Sequence, residues 1–278
     1  MDEAIIHTNT QEENHMPFIT LTTDMGLKDH YVASLKAYLM RSCPSVPILD
    51  ITHEIECFDV NQAAFTLRSV IDEFDEGTVH IVGVRPESDS EVDHLLVKHK
   101  GQYILAADNG IFHLLLDREP EDVYVLNLRQ DTDFLGFPTK HVLAKAAIHL
   151  IKGGTPEIIA RRGEIKNRRI RLHPILAPSM IKGHVMHVDR YENAITNIEK
   201  QVISEVGKGR AFIIDFGGVQ IKKLSTRYQD VHEGVVAAVF SDQGLLEIGI
   251  NGGMVNNGGG ASSLLGLKRD DIVRIEFK

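Results

Sequence analysis

Residues 18–26 are Phe-Ile-Thr-Leu-Thr-Thr-Asp-Met-Gly, a β-rich apolar run that a polar turn ends. Residues 31–40 follow with apolar side chains at helical spacing, so the sequence predicts a strand, a loop and a helix. Because Asp24 directly follows the strand, it is expected at the sheet edge where α/β folds bind ligands. A helix N-cap or a loop carboxylate is the equally supported alternative for Asp24.

Strands and helices continue to alternate up to residue 154. Helices are predicted at 60–73 and 139–151, and strands at 46–51, 78–84, 94–99 and 103–107, with the apolar segments 111–116 and 123–128 continuing the series. This alternation predicts an α/β domain over residues 17–154, with a sheet that is parallel in part. Residues 1–16 are polar and are predicted to form a disordered tail.

The character of the sequence changes after residue 154. Residues 155–180 contain three of the nine prolines and a basic cluster, and we interpret them as a linker. No aromatic residues interleave this cluster, which favours a solvated segment over an RNA site. From residue 181 to 278 the apolar segments are short, β-branched and separated by glycines, and no long helix interrupts them. This pattern predicts a smaller all-β barrel domain.

Composition and charge narrow the functional classes. The chain of 278 residues has 39 acidic and 30 basic residues and a formal charge of −9, so nucleic acid is not expected as a partner. Two cysteines rule out a disulfide framework, and the 14 histidines show no metal-ligand spacing. We see neither a secretory signal nor an apolar run of membrane-span length. We therefore expect a cytoplasmic protein without a membrane or a metal site.

Four further segments are candidates for chemistry. Residues 50–54, Asp-Ile-Thr-His-Glu, lie at the end of the predicted strand 46–51. The His-Glu pair could act in acid–base chemistry or bind metal, but a loop histidine with protein partners is favoured. Residues 108–110, Asp-Asn-Gly, predict a tight turn. Residues 189–197 place hydrogen-bonding side chains between strands, either for a ligand or to cap a β-turn. Residues 251–261 are glycine-rich without a phosphate-binding motif, and suit either close approach to a flat ring or a mobile loop.

Together and in this order, these five segments resemble the S-adenosylmethionine hydroxide adenosyltransferases, a family that also contains the fluorinases and chlorinases. The resemblance covers residues 18–278. It implies an N-terminal α/β domain, a C-terminal β-barrel and a homotrimer, with S-adenosylmethionine between the N-terminal domain of one subunit and the C-terminal domain of its neighbour. S-adenosylmethionine or adenosine would be the substrate or ligand, and no separate cofactor is implied.

The resemblance assigns roles to residues in the matching motifs. Asp24 would hold the ribose diol, and Asp189 would meet the methionine amino group. Asn193 and the loop from Asn251 to Ala261 would surround the adenine. The remaining substrate-binding candidates are Asp29, Asn109 and Tyr191. The implied reaction is displacement at the ribose C5′ carbon, in which methionine leaves and catalysis comes from alignment and desolvation of the nucleophile.

The sequence departs from the hydrolysing members of this family at three catalytic positions. Arg85, Val92 and Pro138 stand where those members have an Asp, an Arg and a His that orient or deprotonate water, and an Arg cannot act as a base at neutral pH. Ser88 and Thr139 match hydroxyl-bearing positions that hold the anion in halide-using members. We therefore predict Arg85, Ser88 and Thr139 as catalytic residues of an anion site; the alternative is that these loops drifted after activity was lost.

Two classes of function remain open from the sequence. The first is an adenosyltransferase or hydrolase whose nucleophile, water or an anion, attacks C5′ and releases methionine. The second is a catalytically impaired protein that binds S-adenosylmethionine or adenosine without turnover. Replaced catalytic positions beside retained binding motifs favour this second class.

Overall fold

The computed structural model describes residues 17–128 and 136–278. Within these residues the chain divides into two units, with the boundary between Arg169 and Ile170. The N-terminal unit contains a mixed sheet with helices, and the C-terminal unit contains an antiparallel, barrel-like sheet. The predicted α/β fold with a smaller all-β barrel is therefore confirmed. In the described part of the chain, no helix is both long and apolar enough to cross a membrane.

A seven-stranded sheet forms the centre of the N-terminal unit. Its strands are β1 (Ile19–Thr23), β2 (Ile48–Thr52), β3 (Val79–Gly83), β4 (His94–His99), β5 (Gln102–Ala107), β6 (Asp122–Leu126) and β7 (Ala160–Arg162). Their order is β2-β1-β3-β5-β4-β6-β7. β2, β1, β3 and β5 run parallel, whereas β4, β6 and β7 pair antiparallel. The carboxyl ends of β1, β2 and β3 therefore meet at one edge of the sheet.

Helices cover both faces of this sheet. They are α1 (Tyr31–Ser42), α2 (Val60–Arg68), α3 (Ile111–Leu115), α4 (Ala144–Ile151) and α5 (Pro156–Ile159), with a 3₁₀ turn at Ile71–Glu73 and a π-helical turn, Thr139–Leu143, that leads into α4. Alternate residues of β3 and β4 enter two separate hydrophobic clusters, so the sheet has a core on each face. The predicted helix over residues 139–151 is confirmed.

One segment of the N-terminal unit differs from its expected structure. Residues 111–116 continue the strand series in the sequence, but Ile111–Leu115 form helix α3. Ile111, Phe112, Leu114 and Leu115 are buried at the spacing of one helical face. A short apolar run does not distinguish a strand from a buried helix, so burial on the α2 side of the sheet decides its structure.

An eight-stranded antiparallel sheet forms the C-terminal unit. Its strands are β8 (Ile175–Ala177), β9 (Met180–Val188), β10 (Ala194–Glu199), β11 (Phe212–Phe216), β12 (Val219–Ile221), β13 (Val236–Phe240), β14 (Leu245–Ile250) and β15 (Ile272–Phe277). The main path is β12-β11-β15-β9-β10-β14-β13, and β8 pairs with β9. β12 and β13, at the two ends of this path, also contact each other, which gives the barrel-like form.

Two helices of this unit were not expected from the sequence. They are α6 (Lys200–Gly207) and α7 (Ala261–Leu265), and a 3₁₀ turn lies at Tyr228–Asp230. α6 buries Ile203 and Gly207, and a Cβ on Gly207 would lie 2.7 Å from the Phe277 ring. The helix ends where Lys208 takes the left-handed conformation, with a φ of 49°. The glycines and β-branched residues on either side of α6 favour strands and turns, so the sequence pattern did not indicate this short amphipathic helix.

Residues 155–180, interpreted as a linker, contain both the boundary between the units and regular structure. α5 and β7 lie in the N-terminal unit, where β7 pairs with β6, and β8 lies in the C-terminal unit. The backbone of the basic segment is anchored to the N-terminal unit, while the side chains of Arg161, Arg162, Lys166 and Arg168 are exposed. The backbone amides of Lys166 and Asn167 donate to the Asp108 carboxylate at 2.8 and 3.1 Å, and Arg169 Nε donates to the Asn109 carbonyl at 3.1 Å.

Candidate functional site

Asp24 follows β1 at the carboxyl edge of the sheet, as expected. The backbone amide of Phe58 donates to Asp24 Oδ2 at 2.8 Å. Phe58 adopts a φ of 69°, which is unusual for a residue other than glycine, and its side chain is exposed. Partial burial raises the pKa of the Asp24 carboxyl; the Phe58 hydrogen bond opposes this rise, and the charge of Glu87 adds to it. The result is a half-buried carboxylate to which the Phe58 backbone amide donates.

A chain of polar side chains lies beside Asp24. Thr23 Oγ1 and His53 Nδ1 are 2.7 Å apart and both residues are buried. His53 Nε2 lies 3.2 Å from Asp50 Oδ1, and Lys36 Nζ donates to Asp50 Oδ2 at 2.7 Å. His53 is therefore a loop histidine with protein partners, as favoured from the sequence. No group of three or more His, Cys, Asp or Glu side chains that could hold a metal ion occurs among the described residues.

Asn109 bonds to the backbone of the neighbouring loop. Its Nδ2 donates to the carbonyls of Val84 and Arg85, both at 3.0 Å, and its Oδ1 accepts from the Ile111 amide at 3.3 Å. The side chain proposed to touch substrate thus joins the turn after β5 to the loop after β3. Arg85 has a φ of 48° and an exposed side chain. Only the folded partners reveal this role, because the sequence shows no more than a turn.

Asp108, beside Asn109, is buried and was also assigned only to a turn. Its Oδ2 holds the backbone amides of Lys166 and Asn167, and its Oδ1 has no hydrogen-bond partner among the described residues. A side chain at Gly110, with a φ of 96°, would collide with Arg169. The Asp-Asn-Gly turn therefore anchors the last segment of the N-terminal unit.

The residues predicted to form an anion site have different environments. Thr139 is fully buried, and its hydroxyl has no hydrogen-bond partner within residues 17–128 and 136–278. A Cβ on Gly83 would lie 2.7 Å from the Thr139 methyl, so glycine allows Thr139 to pack on β3. Ser88 is exposed, like Arg85. Lys140, next to Thr139, donates to Ser34 Oγ at 2.8 Å. Of the two hydroxyl groups predicted for the anion site, that of Thr139 is therefore buried and that of Ser88 is exposed.

Asp29 lies after the Asp24 turn and is exposed. The next residues, His30 and Tyr31, stack with their ring centroids 4.4 Å apart. The Tyr31 ring meets the Phe137 ring edge-on at 5.5 Å. These ring contacts join the loop that carries Asp29 to the loop that precedes Thr139, a connection that the sequence did not indicate.

In the C-terminal unit, Asp189 organises its own turn. Its Oδ1 accepts from the amides of Tyr191 and Asn193 at 2.9 and 2.8 Å, and Asn193 Nδ2 donates to its Oδ2 at 3.1 Å. Turn capping, one of the two interpretations of residues 189–197, is therefore present. Asn193 is buried, whereas Tyr191 is exposed over 58% of its surface. The Tyr191 ring is thus available on the surface of this turn.

The glycine-rich segment 251–261 is joined to the Asp189 turn through Glu192. The carboxylate of Glu192 accepts hydrogen bonds from the Gly260 amide and the Ser263 hydroxyl. Ala261 is fully buried at the start of α7, and Asn251 Nδ2 donates to the Val231 carbonyl at 2.8 Å. The structure thus brings together two segments predicted from the sequence, through a residue that the sequence did not single out.

A partly buried tyrosine–carboxylate pair lies next to the same turn. Tyr228 Oη donates to Glu247 Oε1 at 2.6 Å. Burial raises the pKa of Glu247, and the charge of Asp189 adds to the rise. A Cβ at Gly249 would collide with Asn193 and Tyr228, so the glycine gives both side chains room.

Comparison with known proteins identifies the family. The model of the N-terminal domain of the SAM hydroxide adenosyltransferases matches residues 19–160, and the model of their C-terminal domain matches residues 183–274. The chain belongs to the S-adenosylmethionine hydroxide adenosyltransferase family. The resemblance drawn from the sequence motifs is thereby confirmed.

Individual relatives agree with this family over most of the chain. An (R)-S-adenosyl-L-methionine hydrolase of Thermus thermophilus is 28% identical, over 91% of this chain and 97% of its own. A fluorinase of Nocardia brasiliensis is 24% identical, over 87% of this chain and 93% of its own. The crystal structure of an uncharacterized conserved protein from Thermotoga maritima superposes with a TM-score of 0.82 at 28% identity, covering 93% and 99% of the two chains. Relatives named as an (R)-S-adenosyl-L-methionine hydrolase and as a fluorinase thus both match this family member.

Proposed function

We propose that this protein binds S-adenosylmethionine and transfers its adenosyl group by displacement at the ribose C5′ carbon. A nucleophile forms the new bond to C5′ while the C5′–sulfur bond breaks, and methionine leaves with the electron pair on its sulfur. When water is the nucleophile, it also loses a proton and the product is adenosine. The observation that carries this proposal is the half-buried Asp24 carboxylate at the ligand edge of the sheet, in a chain of this family.

Asp24 is proposed to accept the ribose hydroxyls. Asp24→Ala should weaken binding of S-adenosylmethionine by about 1.5–3 kcal/mol, because it removes a charged hydrogen-bond acceptor. Isothermal titration calorimetry measures this loss. Asp72→Asn, which changes a carboxylate in a surface ion pair with Lys100, is the matched control and should leave affinity unchanged. Absence of binding by the wild type, or equal binding by Asp24→Ala, would remove the proposal.

The nucleophile is proposed to be an anion rather than water. Arg85, Val92 and Pro138 replace the Asp, Arg and His of hydrolysing members, so the factor of about 10²–10⁴ that an orienting base contributes should be missing. The buried Thr139 hydroxyl and the exposed Arg85 favour a charged nucleophile. Mass spectrometry of adenosine and methionine, with and without chloride or a small carboxylate, tests this. The anion should raise turnover, and Arg85→Ala should abolish the rise.

Efficient release of adenosine without any added anion would overturn the anion assignment. A second candidate function is retention of S-adenosylmethionine or adenosine without turnover. It is favoured by the replaced catalytic positions together with the ordered Asp24 and Asp189 turns. Calorimetric binding with neither methionine nor a new adenosyl product under any nucleophile tested would support this binding function.

We also propose assembly as a homotrimer, which rests on the family resemblance. Light scattering at the assay concentration tests it. A mass of three chains is expected, and a clean monomer mass would contradict it.

A further inference from the structure

Residues 53–55 contact the turn that contains Asp24 on both sides of that residue. Thr23 Oγ1 is 2.7 Å from His53 Nδ1, the Gly26 amide donates to the His53 carbonyl at 2.7 Å, and the Ile55 amide donates to the Thr23 carbonyl at 3.4 Å. His53 therefore contacts the turn both before and after Asp24. Of these three contacts, the one between Thr23 Oγ1 and His53 Nδ1 joins two side chains, and the other two join backbone groups.

The same segment continues to the carboxylate itself. Three residues after Ile55, the Phe58 amide donates to Asp24 Oδ2. One short loop thus holds both the backbone of the turn and the oxygen of its acid. A shift of this loop relative to β1 would move the Phe58 donor away from Asp24.

A charged pair lies on the far side of the imidazole. Asp50 Oδ1 lies 3.2 Å from His53 Nε2, and Lys36 on α1 bonds to Asp50 Oδ2. Burial alone would raise the pKa of Asp50, but the hydrogen bond from Lys36 and the contact with His53 outweigh it and hold the pKa below its usual value. Asp50 is therefore an anion at neutral pH, and it favours a proton on Nε2.

With Nε2 protonated toward Asp50, Nδ1 can accept the Thr23 hydroxyl proton. The Thr23 oxygen in turn receives the Met25 amide at 3.4 Å. Donation can therefore run from Met25 through Thr23 to His53, whose Nε2 faces the Asp50 carboxylate at 3.2 Å. A buried hydroxyl–imidazole contact with an anionic carboxylate beside it restricts the backbone that carries it.

We propose that His53 is a positioning residue for Asp24, acting through Thr23 and held by Asp50. The effect on ligand rests on the proposed function, since it assumes that Asp24 contacts S-adenosylmethionine. Thr23 and His53 are buried and act on the position of the acid rather than on the reacting atoms. Their loss should therefore weaken binding and leave the rate at saturating substrate almost unchanged.

The decisive experiment compares isosteric and hydroxyl-retaining variants. Thr23→Val keeps the volume and removes the hydroxyl, so affinity for S-adenosylmethionine should fall about tenfold, the value of one buried hydrogen bond. Thr23→Ser restores the hydroxyl and should bind within about threefold of the wild type. Asp50→Asn, on a partly exposed side chain, should lower affinity about threefold and is a second variant if Thr23→Val fails to fold.

Thr20→Val is the matched control. Thr20 lies on the same strand and makes the same type of contact, with His80 Nδ1 at 2.7 Å, but away from the turn. It should lose stability and keep its affinity. A merely structural role of the Thr23 hydroxyl would instead make the two valine variants bind alike.

Amide hydrogen exchange, measured by NMR without ligand, separates this inference from the proposed function. The Phe58 and Gly26 amides should exchange about tenfold faster in Thr23→Val than in the wild type and be unchanged in Thr20→Val. If the wild type binds no S-adenosylmethionine, the proposed function fails, and exchange still decides the role of His53. Unchanged exchange at both amides in Thr23→Val and Asp50→Asn would overturn the inference, as would equal loss of affinity in Thr23→Val and Thr20→Val.

Discussion

Strand β1 carries two buried threonine–histidine contacts that differ in what lies behind the imidazole. Thr20 Oγ1 meets His80 Nδ1, and Thr23 Oγ1 meets His53 Nδ1, both at 2.7 Å. The chain from Thr20 ends at a neutral amide, because His80 Nε2 pairs with Gln102 Oε1 at 2.9 Å. The chain from Thr23 ends at a carboxylate, Asp50, and then at a lysine on the surface.

The Thr20–His80 contact therefore lies wholly inside the core, whereas the Thr23–His53 contact is linked to the turn that contains Asp24. Gln102 Nε2 donates to the carbonyls of Ile71 and Phe74, so every group from Thr20 onward is satisfied inside the protein. Burial lowers the pKa of His80 to about 4, which keeps its ring neutral at pH 7. The same residue pair thus supports stability at one end of β1 and positions an acid at the other.

The largest effect is expected from replacing Gln102, the neutral residue at the end of the Thr20–His80–Gln102 series, by a glutamate. Gln102→Glu removes the donor that serves Ile71 and Phe74 and places an acid where 4% of the residue is exposed. The free energy of unfolding at pH 7 should fall by about 4 kcal/mol. Denaturant unfolding measures this, and a loss below about 1 kcal/mol would show that the neutral end is not required.

Acidification should destabilise the protein through His80. Its pKa is 6.5 in an unfolded chain and about 4 in the fold, so the unfolded state binds the proton first. Stability is therefore complete above pH 6.5 and falls as the pH drops from 6.5 to about 4, by about 3 kcal/mol in total. The control is His80→Gln, whose unfolding free energy should change less over this range. If the unfolding free energies of the wild type and His80→Gln fall equally between pH 6.5 and pH 4, protonation of His80 does not cause the loss.

The two hydroxyls should differ in their effect on stability. Thr20→Val leaves His80 Nδ1 without a partner in the core and should cost about 2 kcal/mol, whereas Thr23→Val should cost about 1 kcal/mol because His53 is linked to the surface through Asp50. Thermal and denaturant unfolding of both variants in parallel tests this order. A reversed order would remove the distinction between the two contacts.

The smallest effect is expected where the Thr23 chain reaches the surface. Asp50→Asn replaces an ion pair between side chains that are 31% and 35% exposed, so stability should fall by only about 0.5 kcal/mol. Added salt should narrow the difference from the wild type, since it screens the pair in the wild type alone. A loss of unfolding free energy above about 2 kcal/mol would show that Asp50 mainly stabilises the fold and does not mainly position the turn.

The sequence by itself determined the elements with clear periodicity. The strand at 19–23, the helix after Tyr31 and the polar turn between them follow from alternation and spacing, because each depends on neighbours within a few residues. Five short motifs together also sufficed to identify the family, which the domain matches confirm. The assigned roles of Asp24, Asp189 and the other binding candidates stay predictions.

Only the tertiary structure decided which polar side chains are available and which are engaged. Asn109 appears in the sequence as a turn residue, but it bonds to carbonyls 24 and 25 residues away. Thr23 and His53 are 30 residues apart, and nothing in the local pattern distinguishes their contact from that of Thr20 with His80. Periodicity records which face of an element is buried, whereas hydrogen-bond partners depend on which strands lie side by side. The parallel pairing of β1 with β2 and β3 brings these distant residues together, and thereby gives identical residue pairs different roles.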